Sequence, residues 1–146
     1  MRSFTPFTSD DEIATIGDGL LNRTLPKTVW THAAHFAATL WLLRCRPDVD
    51  ISREMPGIIR GYNEAIGGAN TDTSGYHETI TQASIRAARG FLVAAPPQPL
   101  FVTCNALMHS RLGSPEWLLE HWKRPRLFSV EARRQWVEPD IKRLPF

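Results

Sequence analysis

Apolar residues recur at helical spacing along most of the chain, and no segment shows the alternation of apolar and polar residues that is typical of a half-buried strand. Residues Ser9 to Leu21 begin with a capping serine and three acids, and then place Ile13, Ile16 and Leu20 on one face. This pattern predicts a first helix, although two glycines inside it are unfavourable for helix formation.

The segment WTHAAHFAATLWLL predicts a second helix that is apolar on nearly every side. Thr31 is its predicted N-cap, and the helix should run to about Arg46, because Pro47 cannot continue it. A helix that is apolar all round needs neighbours on all sides. We therefore expect it to lie at the centre of the fold.

Further helices are predicted from about 76 to 92 and from 100 to 112, after Ser114, after Ser129, and in the segment SREMPGIIRGYNEAIGG. In that last segment Pro56 should lie in the first helical turn, where a missing N–H costs least. The prolines near the C-terminus predict an extended end. The fold class is therefore all-α, a single domain over 1–146 built as a compact bundle of five to seven helices with an extended C-terminal segment.

Composition places the chain among ordinary globular proteins, since 42% of its 146 residues are hydrophobic and 22% are charged. A net charge of +2 gives no argument for nucleic acid or an anionic membrane. The N-terminal region has no apolar signal segment, and no run of about 18 apolar residues exists. We expect a cytoplasmic protein whose Cys45 and Cys104 are reduced, packed thiols.

Two histidines stand three residues apart at the start of the second helix. His32 and His35 share a helix face at this spacing, so their rings can converge on one point. Both lie in the predicted first turn, where the helix dipole disfavours a protonated imidazole. The neutral ring that results is the form that binds a metal ion.

A second polar concentration, SGYHETIT, lies near the start of another predicted helix. If the two helix starts adjoin, His77 joins His32 and His35 as a third imidazole, and three neutral histidines with an open position are a ligand set of catalytic zinc. The predicted cofactor is thus a divalent metal such as zinc. Glu78 points away from His77 on a helix and is the candidate general base for a metal-bound water.

Four neighbouring polar residues are candidates to complete a ligand-binding pocket around the histidines: Tyr62, Asn63, Tyr76 and Thr81. The competing interpretation is a closed hydrogen-bond network that only stabilises the fold, since unpaired buried polar groups are costly. A third is that the histidines are simply exposed at helix ends. If the network only stabilises the fold, the protein is a noncatalytic interaction or structural protein. A homo-oligomer is compatible with this interpretation and with a ligand-binding pocket.

A basic stretch follows later in the chain, where KRPRLF is followed closely by Arg133 and Arg134. These arginines could bind an anionic ligand through paired N–H donors, or form a solvated basic face. The five tryptophans could line a pocket, but core packing is the simpler interpretation.

Three blocks of the chain carry a resemblance: WTHAAH, YNEAIGGANTDTSGYHETIT and RLFSVEARRQWVEPDIKRLP. Together they resemble a family of small, uncharacterised bacterial proteins over most of the chain from about Trp30 onward. This resemblance implies no activity, cofactor or substrate. The histidine cluster is also similar, in residue type alone, to DinB-like helical bundles in which histidines from different helices bind one divalent ion.

Overall fold

A computed structural model describes residues 4–146. Seven α-helices are found in this range: α1 (Asp10–Leu21), α2 (His32–Cys45), α3 (Ile51–Ala65), α4 (Glu78–Ala94), α5 (Leu100–His109), α6 (Arg124–Leu127) and α7 (Val130–Arg134). Three short 3-10 helices, Lys27–Val29, Arg111–Gly113 and Pro115–Glu120, connect them, and residues 4–146 contain no strand. The predicted all-α fold class is confirmed.

Helix starts follow the predicted capping chemistry in most places. Ser9 and Thr31 cap α1 and α2, each accepting a hydrogen bond from the backbone N–H three residues later. The predicted start of α4 at about Tyr76 is wrong, because His77 is the N-cap and the helix begins at Glu78. The expected helix from 100 to 112 ends at His109, and a 3-10 turn follows it.

Helix α2 is the centre of the bundle, as its apolar sequence predicts. Every residue from Phe36 to Leu42 is buried, and α1, α3, α4 and α5 all pack against this helix. Covering it on all sides keeps its apolar surface from water, which is the main favourable term in folding. The first turn of α2, which carries the two histidines, is thereby held in a fixed position.

Gly17 explains how α1 can pack so closely on α2. A Cβ atom at this position would lie only 2.1 Å from Cε3 of Trp41, whose indole is almost fully buried. Gly17 has a low helix propensity, but its lack of a side chain leaves room for the ring of Trp41. Close packing compensates for its low helix propensity.

Pro56 does not lie in the first turn of α3, and that prediction is wrong. It is the sixth residue of the helix, where a proline leaves the carbonyl of Ser52 without its usual N–H donor. Nε2 of Gln82 on α4 donates to this carbonyl at 2.9 Å. A side chain from the neighbouring helix thus replaces the missing backbone hydrogen bond.

We expect Gln82→Ala to lower the free energy of unfolding by about 1 kcal/mol, the usual contribution of one such hydrogen bond. Urea denaturation would measure the loss. In a Pro56→Ala background the helix supplies its own N–H to Ser52, so the same substitution should cost less there. Equal losses in the two backgrounds would contradict this account of Gln82.

The C-terminal segment after α7 is extended, as predicted, and is fastened by hydrogen bonds. Trp122 Nε1 donates to the carbonyl of Val137 at 3.1 Å, and the backbone N–H of Ile141 donates to the carbonyl of His121 at 2.9 Å. The ring of His121 also binds the carbonyl of Lys142.

In the part of the chain that is described, no helix has the length and apolar character needed to cross a bilayer.

Candidate functional site

A cavity of about 600 Å³ lies between α2, α3, α4 and the segment from Pro115 to Arg133. Six of the eight residues predicted as site residues line it: His32, His35, Asn63, Tyr76, His77 and Thr81. Residues at the starts of both α2 and α4 thus border one cavity. Tyr62 and Glu78 lie outside the cavity wall.

His35 presents its imidazole to the cavity. The side chain has substantial exposed surface, and because the residue lines the cavity we assign that surface to the cavity wall. Trp30 packs against the ring in an edge arrangement with the centroids 3.8 Å apart. Among residues 4–146 neither ring nitrogen of His35 has a hydrogen-bond partner, so both nitrogens are available to a bound molecule.

The same ring is held in its neutral form. Surrounding protein atoms desolvate it and His32 lies close by, and these two effects lower the pKa of His35 to about 4. At neutral pH the imidazole therefore has one N–H donor and one lone-pair acceptor.

His32 is oriented by the turn that follows α5. Its Nε2 donates to the carbonyl of Leu112 at 2.8 Å, and its ring meets Phe36 edge-on with the centroids 5.3 Å apart. This ring therefore ties the start of α2 to the turn that follows α5.

Both ring nitrogens of His77 bind the backbone. Nδ1 accepts from the N–H of Ile80 at 3.1 Å and so caps α4, while Nε2 donates to the carbonyl of Leu127 at 2.7 Å. The residue is buried, and desolvation lowers its pKa, so the neutral Nε2–H tautomer fits both contacts. A metal ion at His77 would have to displace one of these two partners.

Tyr76 and Glu78 form a pair of their own. The Tyr76 hydroxyl donates to Oε1 of Glu78 at 2.5 Å, and Arg60 lies over the tyrosine ring, 4.8 Å from its centroid. Burial raises the pKa of Tyr76, and the hydrogen bond to Glu78 raises it further. Glu78 is thus committed to a tyrosine and does not border the cavity, where a general base would be needed.

Asn63 and Tyr62 are adjacent in α3 but have different surroundings. Asn63 lines the cavity and donates through Nδ2 to Oδ1 of Asn70 at 3.0 Å, which also accepts from the backbone N–H of Tyr76. Tyr62 is fully buried, and its hydroxyl donates to the carbonyl of Leu25 at 2.8 Å. Asn63 therefore belongs to the cavity wall, and Tyr62 joins α3 to the segment before α2.

The described residues contain no group of three histidine, cysteine or carboxylate side chains arranged to hold a metal ion. Of the three predicted ligands, His35 alone offers both nitrogens, whereas His77 uses both for backbone contacts. The three-histidine metal site stays a prediction.

No protein-family model matches the chain. No curated protein and no solved structure shows significant similarity to it either. The resemblance to small bacterial proteins accordingly also stays a prediction, and the geometry of the cavity is the basis for any functional proposal.

Several cavity residues are not among the predicted site residues. Trp30 and Trp117 both line the cavity, although core packing is the simpler interpretation of the tryptophans in the sequence. Trp117 is also buried, and its Nε1 has no hydrogen-bond acceptor among residues 4–146. The fold thus places a buried N–H donor beside the cavity. The abundance of tryptophan is a sequence signal for these two residues.

We expect protein stability to fall as the pH drops from about 6.5 towards 4, partly through His35. An unfolded histidine gains a proton near pH 6.5, whereas His35 in the folded protein gains one near 4. The unfolded state therefore binds more protons across this window and is favoured by acid. Urea denaturation from pH 7 to pH 4.5 would show a smaller pH dependence for His35→Gln than for the wild type. Equal slopes would contradict the lowered pKa.

Proposed function

We propose that the protein binds a small, mostly apolar organic molecule in this cavity, with His35 as its hydrogen-bonding partner. The observation that carries the proposal is a neutral imidazole, without a partner in residues 4–146, that opens into a cavity of ligand size. We further propose a cytoplasmic location, which the two free cysteines, Cys45 and Cys104, support. Cys104 is buried, whereas Cys45 is exposed, so the prediction that both thiols are packed is wrong for Cys45.

The cavity has the size and the wall of a small-molecule site. Such sites measure about 300–1,000 Å³ and are mostly apolar, with a few polar groups that fix the ligand's orientation. The volume here is about 600 Å³. Its apolar wall includes Phe36, Met55, Ile59, Ile80, Ile85 and Leu127. A ligand body with rings or alkyl groups would gain free energy by leaving water for this wall.

His35 supplies the polar recognition. A neutral imidazole both donates and accepts, so a hydroxyl, carbonyl or amide of the ligand can pair with it. Trp30 fixes one edge of the ring and the first turn of α2 fixes its backbone. The group is therefore positioned before the ligand arrives, which reduces the entropic cost of binding.

The surrounding polar residues support binding rather than metal-assisted hydrolysis. His77 binds two backbone groups and Glu78 binds Tyr76, which are the contacts of a hydrogen-bond network that holds a cavity in shape. Elemental analysis of protein purified without a histidine tag tests the metal alternative. Near-stoichiometric zinc that is lost in a His32→Ala, His35→Ala double variant would favour that alternative over this proposal.

The proposal is tested with the neutral dye 1-anilinonaphthalene, whose fluorescence increases in apolar surroundings. We expect saturable binding of one dye per chain to the wild type. Ser84 lines the cavity from α4 and is half-buried, so Ser84→Trp would place an indole in the dye's space and weaken binding at least about tenfold.

The matched control is Val93→Trp, because Val93 is on the same helix but is 82% exposed. This variant should bind the dye as the wild type does. Circular dichroism would establish that both variants are folded. Absence of dye binding to the wild type, or equal binding by Ser84→Trp, would overturn the proposal.

A further inference from the structure

We infer that the ligand is an amphipathic anion whose acidic group is bound by Arg124 and Arg133 at the edge of the cavity, while its apolar body lies inside. This inference rests on the proposed function and adds the chemical class of the ligand. Both arginines line the cavity, and they lie on the consecutive short helices α6 and α7.

Arg124 is an exposed cation that no carboxylate neutralises. It begins α6, and none of the four ion pairs found within residues 4–146 includes it. An exposed arginine without an acidic partner keeps its planar set of N–H donors available, and that set matches the oxygens of a carboxylate or phosphate.

Arg133 is held in place by the loop before α4. Its Nη1 donates to the carbonyls of Gly75 and Tyr76 at 3.1 and 3.3 Å, and the residue is half-buried. No ion pair within the described part of the chain includes it. Two carbonyl contacts orient the guanidinium without cancelling its charge.

The acids nearby do not cancel these charges. Asp72 also interacts with the charge of Arg133, but both of its oxygens are hydrogen-bonded to Arg134, at 2.8 and 2.7 Å. Glu116 is the acid on the cavity wall, and it is exposed. Among the described residues the wall thus carries two arginines against one glutamate, an arrangement that favours an anion.

Deeper in the cavity, residues 4–146 offer no such cation. His35 is neutral at physiological pH, and the Tyr76 hydroxyl is used by Glu78. An anionic group placed deep in the cavity would lose its hydration without gaining a charged partner, which is costly. The acidic group therefore belongs at the edge, beside Arg124 and Arg133, with the apolar body directed towards His35.

The test compares two dyes that share one aromatic skeleton. 1-Anilinonaphthalene is neutral, and 8-anilinonaphthalene-1-sulfonate carries one negative charge. We expect the wild type to bind the sulfonate about tenfold more tightly than the neutral dye, which is the gain typical of a charge-assisted hydrogen bond. Added sodium chloride should reduce this preference, because the arginines lie where solvent ions can screen them.

Arg124→Gln should remove most of the preference for the sulfonate, measured as the ratio of the dissociation constants of the two dyes. Arg124→Lys should keep part of it, since charge remains but the planar donors are lost. Lys123→Gln is the matched control: Lys123 is an exposed neighbour outside the cavity wall, and its loss changes the net charge equally. Arg133→Gln should act like Arg124→Gln, with circular dichroism to establish that it is folded.

Displacement of the bound neutral dye by decanoate, decyl phosphate and decanol then identifies the acidic group. Decanoate or decyl phosphate should displace the dye at about tenfold lower concentration than decanol. Equal affinity for both dyes, or a preference that survives loss of either arginine, would overturn this inference and leave the proposed function standing. Absence of neutral-dye binding would instead overturn the proposed function, and this inference with it.

Discussion

Replacing Gly17 with alanine should lower the free energy of unfolding by about 2 kcal/mol, although alanine is the better helix former by about 1 kcal/mol. The added methyl carbon would lie 2.1 to 2.7 Å from three ring atoms of Trp41. Since the indole is almost fully buried, it has little room to move. Thermal and urea denaturation would measure the loss.

Gly57 provides the matched control, because it also lies inside a helix but has no neighbouring atom within 4 Å of the point that an added Cβ would occupy. Gly57→Ala should therefore stabilise the protein by about 0.5–1 kcal/mol. Trp41→Leu should relieve the clash, so that Gly17→Ala costs less in that background. A stabilising Gly17→Ala would contradict the packing described for α1 and α2.

Replacing His77 with alanine should lower the free energy of unfolding by about 3 kcal/mol. The change removes the N-cap of α4, worth about 1 kcal/mol, and leaves the carbonyl of Leu127 without its donor, at about 1–3 kcal/mol more. Its effect should be present in metal-free protein, because both partners are backbone groups. Urea denaturation in the presence of a chelator is the appropriate measurement.

Asparagine at the same position separates the two contributions. Asn is a good N-cap, so His77→Asn should recover the capping part of the loss but not the bond to Leu127. We expect His77→Asn to have a free energy of unfolding between those of the wild type and His77→Ala. If His77→Ala is less stable than the wild type only when both are measured with added zinc, the result would instead identify His77 as a metal ligand.

Local pattern is sufficient to predict the central helix and its cap. Thr31 and Ser9 are residue types that commonly cap helices, and both do so here. The capping role of His77 does not follow from local pattern, because histidine rarely takes that position and its second contact is a carbonyl fifty residues away in sequence. Local pattern also does not predict that Pro56 lies inside α3, because the hydrogen-bond donor that compensates for it, Gln82, comes from α4.

The part of the candidate site that lies at the N-termini of helices can be predicted from the sequence. The sequence offers the hypothesis that two helix starts adjoin and bring His77 towards His32 and His35, and all three residues line one cavity. Adjacent helical residues point about 100° apart, and here Asn63 lines the cavity whereas Tyr62 is buried against Leu25. The sequence pattern does not indicate which of the two does so, because that depends on how α3 is rotated against its neighbours.

The wall formed by residues 115–133 lies beyond local prediction. These residues follow α5 in short turns, and their approach to α2 and α4 depends on long-range contacts such as that between His32 and Leu112. Arg124 and Arg133 are recognisable in the sequence as basic residues, for which a solvated face and an anion site are both compatible with the pattern. Their position on the cavity wall favours the anion site.

Methyl NMR of the methionines tests the central claim most directly. The chain has three methionines, of which Met55 lines the cavity and Met108 is buried away from its wall. In protein labelled with ¹³C at the methionine methyl groups, 1-anilinonaphthalene should shift the Met55 resonance saturably through its ring currents and leave Met108 unmoved. An unmoved Met55 at dye concentrations that saturate the fluorescence would contradict ligand binding in this cavity.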